Sequence, residues 1–186
     1  VSELDLVNKG KIEEAINALK EQELIYHGTL EQPKGKVIED WEPREQMLFK
    51  SSSYGDEVDR PLQKSNGEWT YFANDIAYHF DKYKRGSDHL IDILGADHGG
   101  YVKRMNASVK ALTSNKAKFT AKLCQMVKLI KNGNQLKMSK RSGDFITLEE
   151  MVNEVGSDSI RFMMMYRKNE APLEFDFDKV TEQSKD

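Results

Sequence analysis

The stretch HLIDILGAD, residues 89–97, decides the fold class. A continuous apolar run that ends in glycine is typical of a buried strand in a parallel sheet. Apolar residues then recur at helical spacing over residues 102–112, and KLCQMVKLI, residues 122–130, has the composition of another strand. A strand, a helix and a second strand in this order predict an α/β fold with a parallel sheet.

Upstream of this stretch the pattern predicts a further strand and two helices. EWTYFA, residues 68–73, alternates bulky and β-branched residues and is predicted to be a strand. Asn74 or Asp75 is predicted to cap the helix that follows. Residues 11–26 place apolar side chains on one helical face, and Gly28 is the predicted stop of that helix.

Downstream, a turn and two helices are predicted after the strands. Residues 131–134, KNGN, form a hairpin-type turn. Thr147 opens a capping box at the start of a helix that stops at Gly156. A second helix begins at about Ser157, and its methionines at 163–165 are predicted to pack in the core.

Composition excludes several classes of protein. The chain has 186 residues and no apolar run of the length that a membrane helix needs, so a membrane protein is excluded. Its N-terminus has no apolar signal core, and the single cysteine, Cys124, cannot form an intrachain disulfide. None of the 4 histidines falls at a zinc spacing. We therefore expect a cytoplasmic protein without a structural metal.

Charge is distributed unevenly along the chain. The net charge is −3, yet residues 103–141 contain 11 Lys or Arg and no Asp or Glu. A cationic block inside an acidic chain is a candidate site for phosphate, in a nucleotide or in a nucleic-acid backbone. A solvated helix face with its loop explains the charge equally well.

Three polar segments follow predicted strands: Asn74-Asp75, residues 95–98 (GADH) and the loop KMSKR at 137–141. Ligands of open parallel sheets bind beyond the carboxyl ends of strands. We therefore expect the three segments to share one edge and one site.

The loop KMSKRSG, residues 137–143, carries the sharpest chemical signal. Lys137 and Lys140 lie three residues apart in a loop between a hairpin and a capped helix. Ammonium groups on such a loop can stabilise negative charge that develops on a polyphosphate. An ordinary exposed basic turn is the alternative for an arbitrary K-x-x-K, but the complete string KMSK in this context favours a phosphate-binding loop.

The segment from KMSK to LEFDF, residues 137–177, resembles the signature loop and following helices of class I aminoacyl-tRNA synthetases. WTYFANDIAYHF (69–80) and IDILGADHGGYVKRM (91–105) narrow the resemblance to arginyl-tRNA synthetases of bacterial type. It extends over nearly the whole chain and is weakest in the first 40 or so residues. The resemblance implies a Rossmann-like, nucleotide-binding catalytic domain, ATP-dependent activation of L-arginine, and transfer of the arginyl group to tRNA(Arg).

Roles for individual residues follow from this resemblance. Lys137 and Lys140 are implied as the catalytic cations on the triphosphate of ATP, with Mg²⁺ accompanying the nucleotide. The residues implied in ATP binding are Gly95, Asp97, His98, Met138, Ser139 and Arg141.

The resemblance also implies a site for the substrate side chain. A guanidinium needs a carboxylate and flat polar partners. Tyr71 and Asp75 match the family's tyrosine and aspartate four residues apart, and His98 is a further candidate on the arginine side. Taken alone, Asp75 could be a plain helix cap and Tyr71 a packed strand aromatic.

The sequence departs from the family at one point, because the H-x-G-H signature that grips ATP is absent. We therefore expect an incomplete catalytic domain that is inactive alone and needs the remainder of the same polypeptide. In this division residues 1–45 belong to an insertion between the halves of the domain. Residues 46–146 form its second half, which ends in the KMSK loop, and residues 147–186 lead to an anticodon-binding domain.

Two other functions stay open. A synthetase-like module could bind tRNA or a protein partner without catalysis, which the missing H-x-G-H favours. A different synthetase of the same class is the third possibility, because KMSK does not name the amino acid.

Overall fold

The computed structural model describes residues 2–30, 44–138 and 145–182. Its helices and strands are, in chain order, α1 (Glu3–Asn8), α2 (Lys11–Glu21), β1 (Ile25–Gly28), β2 (Gln46–Phe49), β3 (Arg60–Pro61), α3 (Tyr71–Lys84), β4 (His89–Gly95), α4 (Val102–Leu112), β5 (Lys118–Cys124), β6 (Val127–Lys131), β7 (Asn134–Gln135), α5 (Leu148–Val155), α6 (Ser157–Tyr166), β8 (Leu173–Asp176) and α7 (Phe177–Thr181). In the part of the chain that the structure describes, no helix is long and apolar enough to cross a bilayer.

The chain divides into two compact units. Unit 1 comprises residues 1–92 and 100–121, and unit 2 comprises residues 93–99 and 122–186. The division from sequence at residues 45 and 146 stays a prediction. Helices alternate with strands along the chain, and parallel pairing occurs, which confirms the α/β fold class.

In unit 1, helix α2 buries its apolar face. Ile12, Ile16 and Leu19 are almost fully buried, as the helical spacing predicts. The predicted end of this helix at Gly28 is wrong, because the helix ends at Glu21 and Gly28 is the last residue of β1. β1 pairs antiparallel with β2, so the last two residues of the predicted helix, Ile25 and Tyr26, form a strand instead.

Helix α3 begins earlier than predicted. The Thr70 side chain accepts a hydrogen bond from the backbone N of Ala73 at 3.3 Å and so caps the helix. The predicted strand at 68–73 and the predicted cap at Asn74 or Asp75 are therefore wrong. In this segment the structure forms only an isolated bridge, between Gln63 and Trp69. Alternation over six residues was too short a signal to outweigh a threonine cap.

β4, α4 and β5 have the predicted strand, helix and strand order. The Lys118 backbone N donates to the Asp88 O at 2.8 Å, and His89 Nε2 lies 3.0 Å from Thr120 Oγ1. Because the partners advance together in number, the two strands run parallel. The expected burial of β4 is wrong for most of the strand, since only Leu90 is buried while Ile91 and Ile93 are exposed.

In unit 2, β6 lies between β7 and β8. The predicted hairpin turn is confirmed, and Asn132 and Gly133 both take the left-handed conformation that a type I′ turn requires. β6 pairs parallel with β8, with α5 and α6 in the connection. The core of the unit consists of Leu129, Met151, Ile160, Phe175 and Phe177.

The capping box before α5 is confirmed. Glu150 N donates to Thr147 Oγ1 at 3.1 Å, and Thr147 N donates to Glu150 Oε2 at 2.7 Å. Gly156 follows the helix in a positive-φ conformation.

Two predictions for unit 2 are wrong in part. The predicted strand 122–130 is two strands, β5 and β6, which separate at Gln125, whose backbone N donates to the Asn169 O at 2.8 Å. Of the methionines at 163–165, only Met163 packs against the core, whereas Met164 and Met165 are exposed. A run of three helical residues covers most of the helix circumference, so it cannot face one core.

Candidate functional site

Tyr71 and Asp75 lie one turn apart on helix α3, four residues apart, and therefore on the same face of the helix. Tyr71 is in the first turn and is 84% exposed, so it is not the packed strand aromatic of the alternative reading. Asp75 is half-buried and does not cap the helix, because Thr70 does. Both side chains are therefore at least partly accessible from one face of α3.

A second tyrosine binds the Asp75 carboxylate. The Tyr101 hydroxyl donates to Asp75 Oδ2. Burial raises the pKa of the Tyr101 phenol, and the hydrogen bond to Asp75 and the charge of that carboxylate raise it further. Sequence reasoning did not assign Tyr101 to the site, although it ends the glycine turn GADHGGY that carries the resemblance. Among the described residues, Asp75 Oδ2 accepts this hydrogen bond and Asp75 Oδ1 accepts none.

An apolar pocket of about 320 Å³ adjoins these residues. Its lining combines aliphatic side chains with the polar groups of α3: Leu4, Leu6, Val7, Ile12, Tyr71, Asn74, Asp75 and Tyr78. Aliphatic walls beside one carboxylate suit a ligand with an apolar stem and a cationic head.

His79, in the third turn of α3, connects this helix to strand β4. Its side chain is 4% exposed, its Nδ1 lies 2.7 Å from the Asp75 backbone O, and its Nε2 lies 2.7 Å from Asp92 Oδ2. Lys82 Nζ donates to the other Asp92 oxygen at 3.1 Å. Burial alone would raise the pKa of Asp92, but the bonds from His79 and then Lys82 outweigh it and hold that pKa below its usual value. The cluster fixes the helix that carries Asp75, and sequence reasoning missed it.

In unit 2, Gly95, Asp97 and His98 lie together at the end of β4, where a 3-10 turn begins at Ala96. A Cβ at Gly95 would lie 2.5 Å from Asp97 Oδ1, so a larger residue there would require the exposed Asp97 side chain to move. The side chains of Asp97 and His98 are exposed, and His98 Nε2 lies 3.7 Å from Asp97 Oδ2. The turn thus presents an acid and an imidazole at the surface.

Lys137 and Met138 follow β7 and are exposed. Ser139, Lys140 and Arg141 lie outside the described residues. Asn74 and Asp75 do not follow a strand, so the expectation that all three polar segments follow strand ends is wrong for that one. A cleft shared by the lysine pair with Tyr71 and Asp75 stays a prediction.

Over residues 2–30, 44–138 and 145–182 the structure contains no cluster of three His, Cys, Asp or Glu suited to a metal.

Comparison with known proteins gives close sequence relatives. No protein-family model matches the chain. An arginine–tRNA ligase of Ruegeria pomeroyi is 62% identical over 185 residues, which cover 100% of this chain and 32% of that protein. The arginine–tRNA ligase of Rhodospirillum rubrum is 57% identical and is covered to 31%. The chain spans about a third of the length of the curated relatives that it matches.

Solved structures give the same result. A protein described as a candidate arginyl-tRNA synthetase of Campylobacter jejuni superposes with a TM-score of 0.78 at 34% identity, over 99% of this chain and 36% of that one. The arginyl-tRNA synthetase of Thermus thermophilus superposes with a TM-score of 0.64 over 96% of this chain and 37% of that one, and at 17% identity it supports the fold alone.

The sequence relatives and the solved structures that the chain matches are aminoacyl-tRNA synthetases, which confirms the resemblance predicted from the KMSK segment. Within that class, the chain is homologous along its whole length to about one third of the arginine–tRNA ligases.

Proposed function

We propose that this chain is the part of an arginine–tRNA ligase that binds the arginine side chain and contributes cations to ATP. The whole reaction is ATP-dependent formation of arginyl-adenylate followed by transfer of the arginyl group to tRNA(Arg). The observation that carries the proposal is the identity of 62% to an arginine–tRNA ligase over 185 residues. The pairing of Tyr71 and Asp75 on one exposed helix face agrees with it.

In this proposal Asp75 binds the substrate guanidinium. A carboxylate pairs with a planar guanidinium through parallel N–H donors, and Tyr101 holds the Asp75 carboxylate in place for that contact. The aliphatic lining beside Asp75 packs against the apolar stem of the substrate. Tyr71 flanks the same pocket with its exposed ring. His98 contributes to the arginine side of the site or to ATP binding.

The chemical step needs positioning and positive charge. The arginine carboxylate attacks the α-phosphorus of ATP, and the bond to the pyrophosphate leaving group breaks, so negative charge increases on the phosphate oxygens. Lys137 and Lys140 stabilise that charge, and Mg²⁺ accompanying the nucleotide would add positive charge there. The loop is held in contact with ATP by Met138, Ser139 and Arg141. The nucleoside is contacted by Gly95 and Asp97. We propose a cytoplasmic setting for this activity.

We further propose that residues 1–186 do not catalyse activation alone. The chain spans about a third of its relatives, and no H-x-G-H occurs in its sequence. In this proposal another part of the polypeptide supplies the ATP contacts that the H-x-G-H signature makes in the family. The chain should therefore show no arginine-dependent exchange of pyrophosphate into ATP, and measurable exchange would refute this part of the proposal.

Arginine recognition is tested by calorimetric titration of residues 1–186 with L-arginine. Asp75→Asn removes one charged partner of the guanidinium and should weaken binding by about tenfold to a hundredfold. Asp88→Asn, which makes the same charge change at an exposed turn, is the matched control and should bind as the unchanged chain does. L-citrulline, which has the same shape without the charge, should bind far more weakly. Equal affinity of the Asp75→Asn and Asp88→Asn chains for arginine would contradict the assignment.

The alternative function is a synthetase-like module that binds tRNA or a protein without catalysis. The absence of H-x-G-H from the sequence is the observation that favours it. Such a module has no need for a guanidinium site, so tRNA binding without arginine binding by the same chain would favour it over the ligase.

A further inference from the structure

A second pocket of unit 1 shares Tyr71 with the aliphatic pocket. It has a volume of about 340 Å³ and is lined by Arg60, Pro61, Thr70, Tyr71, Phe72, Tyr101 and Arg104. Two arginines, a threonine and two tyrosines thus contribute to the walls of this pocket. No carboxylate is among these lining residues.

The positive charge of Arg60 is already compensated. Its Nε donates to Asp56 Oδ2 at 2.7 Å, and its Nη2 donates to Asp56 Oδ1 at 2.8 Å. The Asp56 side chain is 1% exposed and also accepts hydrogen bonds from Ser51 Oγ and from its neighbour's backbone N. Asp56 is therefore fully used within the protein and is not available to a second guanidinium.

Arg104 lacks such a partner. Its Nε is buried, and within residues 2–30, 44–138 and 145–182 it has no hydrogen-bond acceptor. Its guanidinium lies over the Tyr101 ring, 5.0 Å from the ring centroid. Burial lowers the pKa of Arg104, and the nearby charge of Arg60 lowers it further, whereas the charge of Asp56 acts in the opposite direction. A buried donor without an acceptor is uncommon in proteins and calls for an explanation.

The neighbouring cation on α4 differs in this respect. Lys103 Nζ pairs with Glu57 Oε1 at 2.6 Å and does not line the pocket. The charges of Lys103 and Glu57 therefore compensate each other, as do those of Arg60 and Asp56. The pocket keeps the charge of Arg104 without a counter-charge on its walls.

We propose that this pocket, with Arg104 as its anchor, binds an oxyanion of the phosphate class. Guanidinium groups bind phosphate through two parallel N–H donors. The Thr70 hydroxyl is already used within the protein, since it donates to the backbone O of Pro61 and of Leu62 and caps α3. A phosphate in the pocket would accept from Arg104 and offset the repulsion between Arg104 and Arg60. Two sources share this chemistry, a free phosphate or nucleotide and the phosphodiester backbone of an RNA.

The pocket lies next to the candidate arginine site, and this position relates it to the proposed ligase reaction. Tyr101 contacts Arg104 with its ring and Asp75 with its hydroxyl, so one side chain joins the two sites. If the RNA is the source, the inference rests on the proposed function, because the RNA is then the acceptor of the arginyl group. The phosphate pocket itself stands independently of it.

The test is an NMR titration of residues 1–186 that follows the Nε–Hε signal of Arg104, with inorganic phosphate, ATP and a single-stranded RNA oligonucleotide as separate probes. We expect this signal to shift on addition of at least one probe. Arg104→Gln should weaken binding by about tenfold or more, since a charge-assisted contact is lost. Lys103→Gln, which removes the same charge one residue away, should change affinity by less than about twofold at 0.15 M salt because an exposed charge is screened there.

Each result decides the inference. Saturation by phosphate and ATP identifies a free anion as the ligand, and saturation by RNA alone identifies the backbone. Equal losses for Arg104→Gln and Lys103→Gln would show a general cationic surface and overturn the proposal, as would the absence of any shift of the Nε–Hε signal. The thermal melting temperature of Arg104→Gln, expected at or above that of the unchanged chain, excludes unfolding as the cause of lost binding. If arginine does not bind while phosphate does, the pocket stands and the proposed function fails.

Discussion

Asp92→Ala should be among the most destabilising single changes in unit 1. The substitution removes the carboxylate that His79 and Lys82 share, at 2.7 and 3.1 Å. His79 is 4% exposed, Asp92 15% and Lys82 18%, so water replaces the lost acceptor poorly. Removing one partner of a buried ion pair costs about 3–5 kcal/mol.

The lower end of that range applies here. Lys82 retains a contact with the Tyr78 ring, at 4.3 Å from its centroid, and its ammonium can turn toward solvent. We therefore expect a loss of about 3 kcal/mol in the free energy of unfolding at pH 7. With a urea dependence of about 1.5–2 kcal/mol/M, the unfolding midpoint moves down by about 1.5–2 M.

Urea unfolding followed by tryptophan fluorescence measures this loss. Replacing Trp41 by Phe in every variant leaves Trp69, in the same unit as Asp92, as the sole reporter. Asp88→Ala is the control, since the Asp88 side chain is exposed, and it should stay within about 0.5 kcal/mol of the parent. A loss below about 1 kcal/mol for Asp92→Ala, with an unchanged slope, would refute the reasoning.

The same carboxylate predicts the direction of a pH effect. The pKa of Asp92 is lower in the folded chain than its ordinary value of 3.8. Its contribution is therefore complete above that ordinary value and disappears as the pH falls through the lower folded value. The stability difference between the parent and Asp92→Ala should accordingly shrink below about pH 4, and a difference that grows on acidification would contradict the sign.

Three further changes test other parts of the chain. Thr147→Ala removes the cap of α5 and should cost about 1 kcal/mol in chemical unfolding, whereas Ser157→Ala at an exposed helix start should cost little. Phe175→Ala, at a fully buried site, should cost about 3–5 kcal/mol, against little for the exposed Phe162→Ala, and equal losses would contradict the assigned core of unit 2. Tyr101→Phe should reduce the loss of stability at alkaline pH, because the pKa of the Tyr101 phenol is raised in the folded chain. The contribution of this phenol is complete below its unfolded pKa of about 10 and is lost as the pH rises further. An unchanged dependence of the melting temperature on alkaline pH would contradict this expectation.

Sequence periodicity predicted the elements whose signals are local. Helix α4 and the hairpin at Asn132-Gly133 were found because helical spacing and turn chemistry act within a few residues. The end of α2 was misplaced because pairing of β1 with β2, over about 20 residues of separation, decides that boundary. A pattern confined to one segment cannot report such a pairing.

The residues of the candidate site that the sequence predicted, and those that it did not, differ in the same respect. Tyr71 and Asp75 were found through their spacing within a resemblance, and the structure places both on one face of α3. Tyr101 and Arg104 were not found, because their importance comes from a hydrogen bond to Asp75 and from a missing partner, and both are properties of three-dimensional packing. Asp92 was missed for the same reason, since an acid within an apolar strand gives no sign of the histidine that it meets.

The parallel pairing of β6 with β8 has a consequence for the order in which the chain folds during synthesis. Lys128 and Glu174 pair side by side although 46 residues separate them, so β6 cannot complete its sheet until β8 has left the ribosome. Both segments of unit 1 end by residue 121, well before β8 is made. Unit 1 can therefore begin to fold first, while the aromatic pair Phe175 and Phe177 completes unit 2 at the end of translation of this segment.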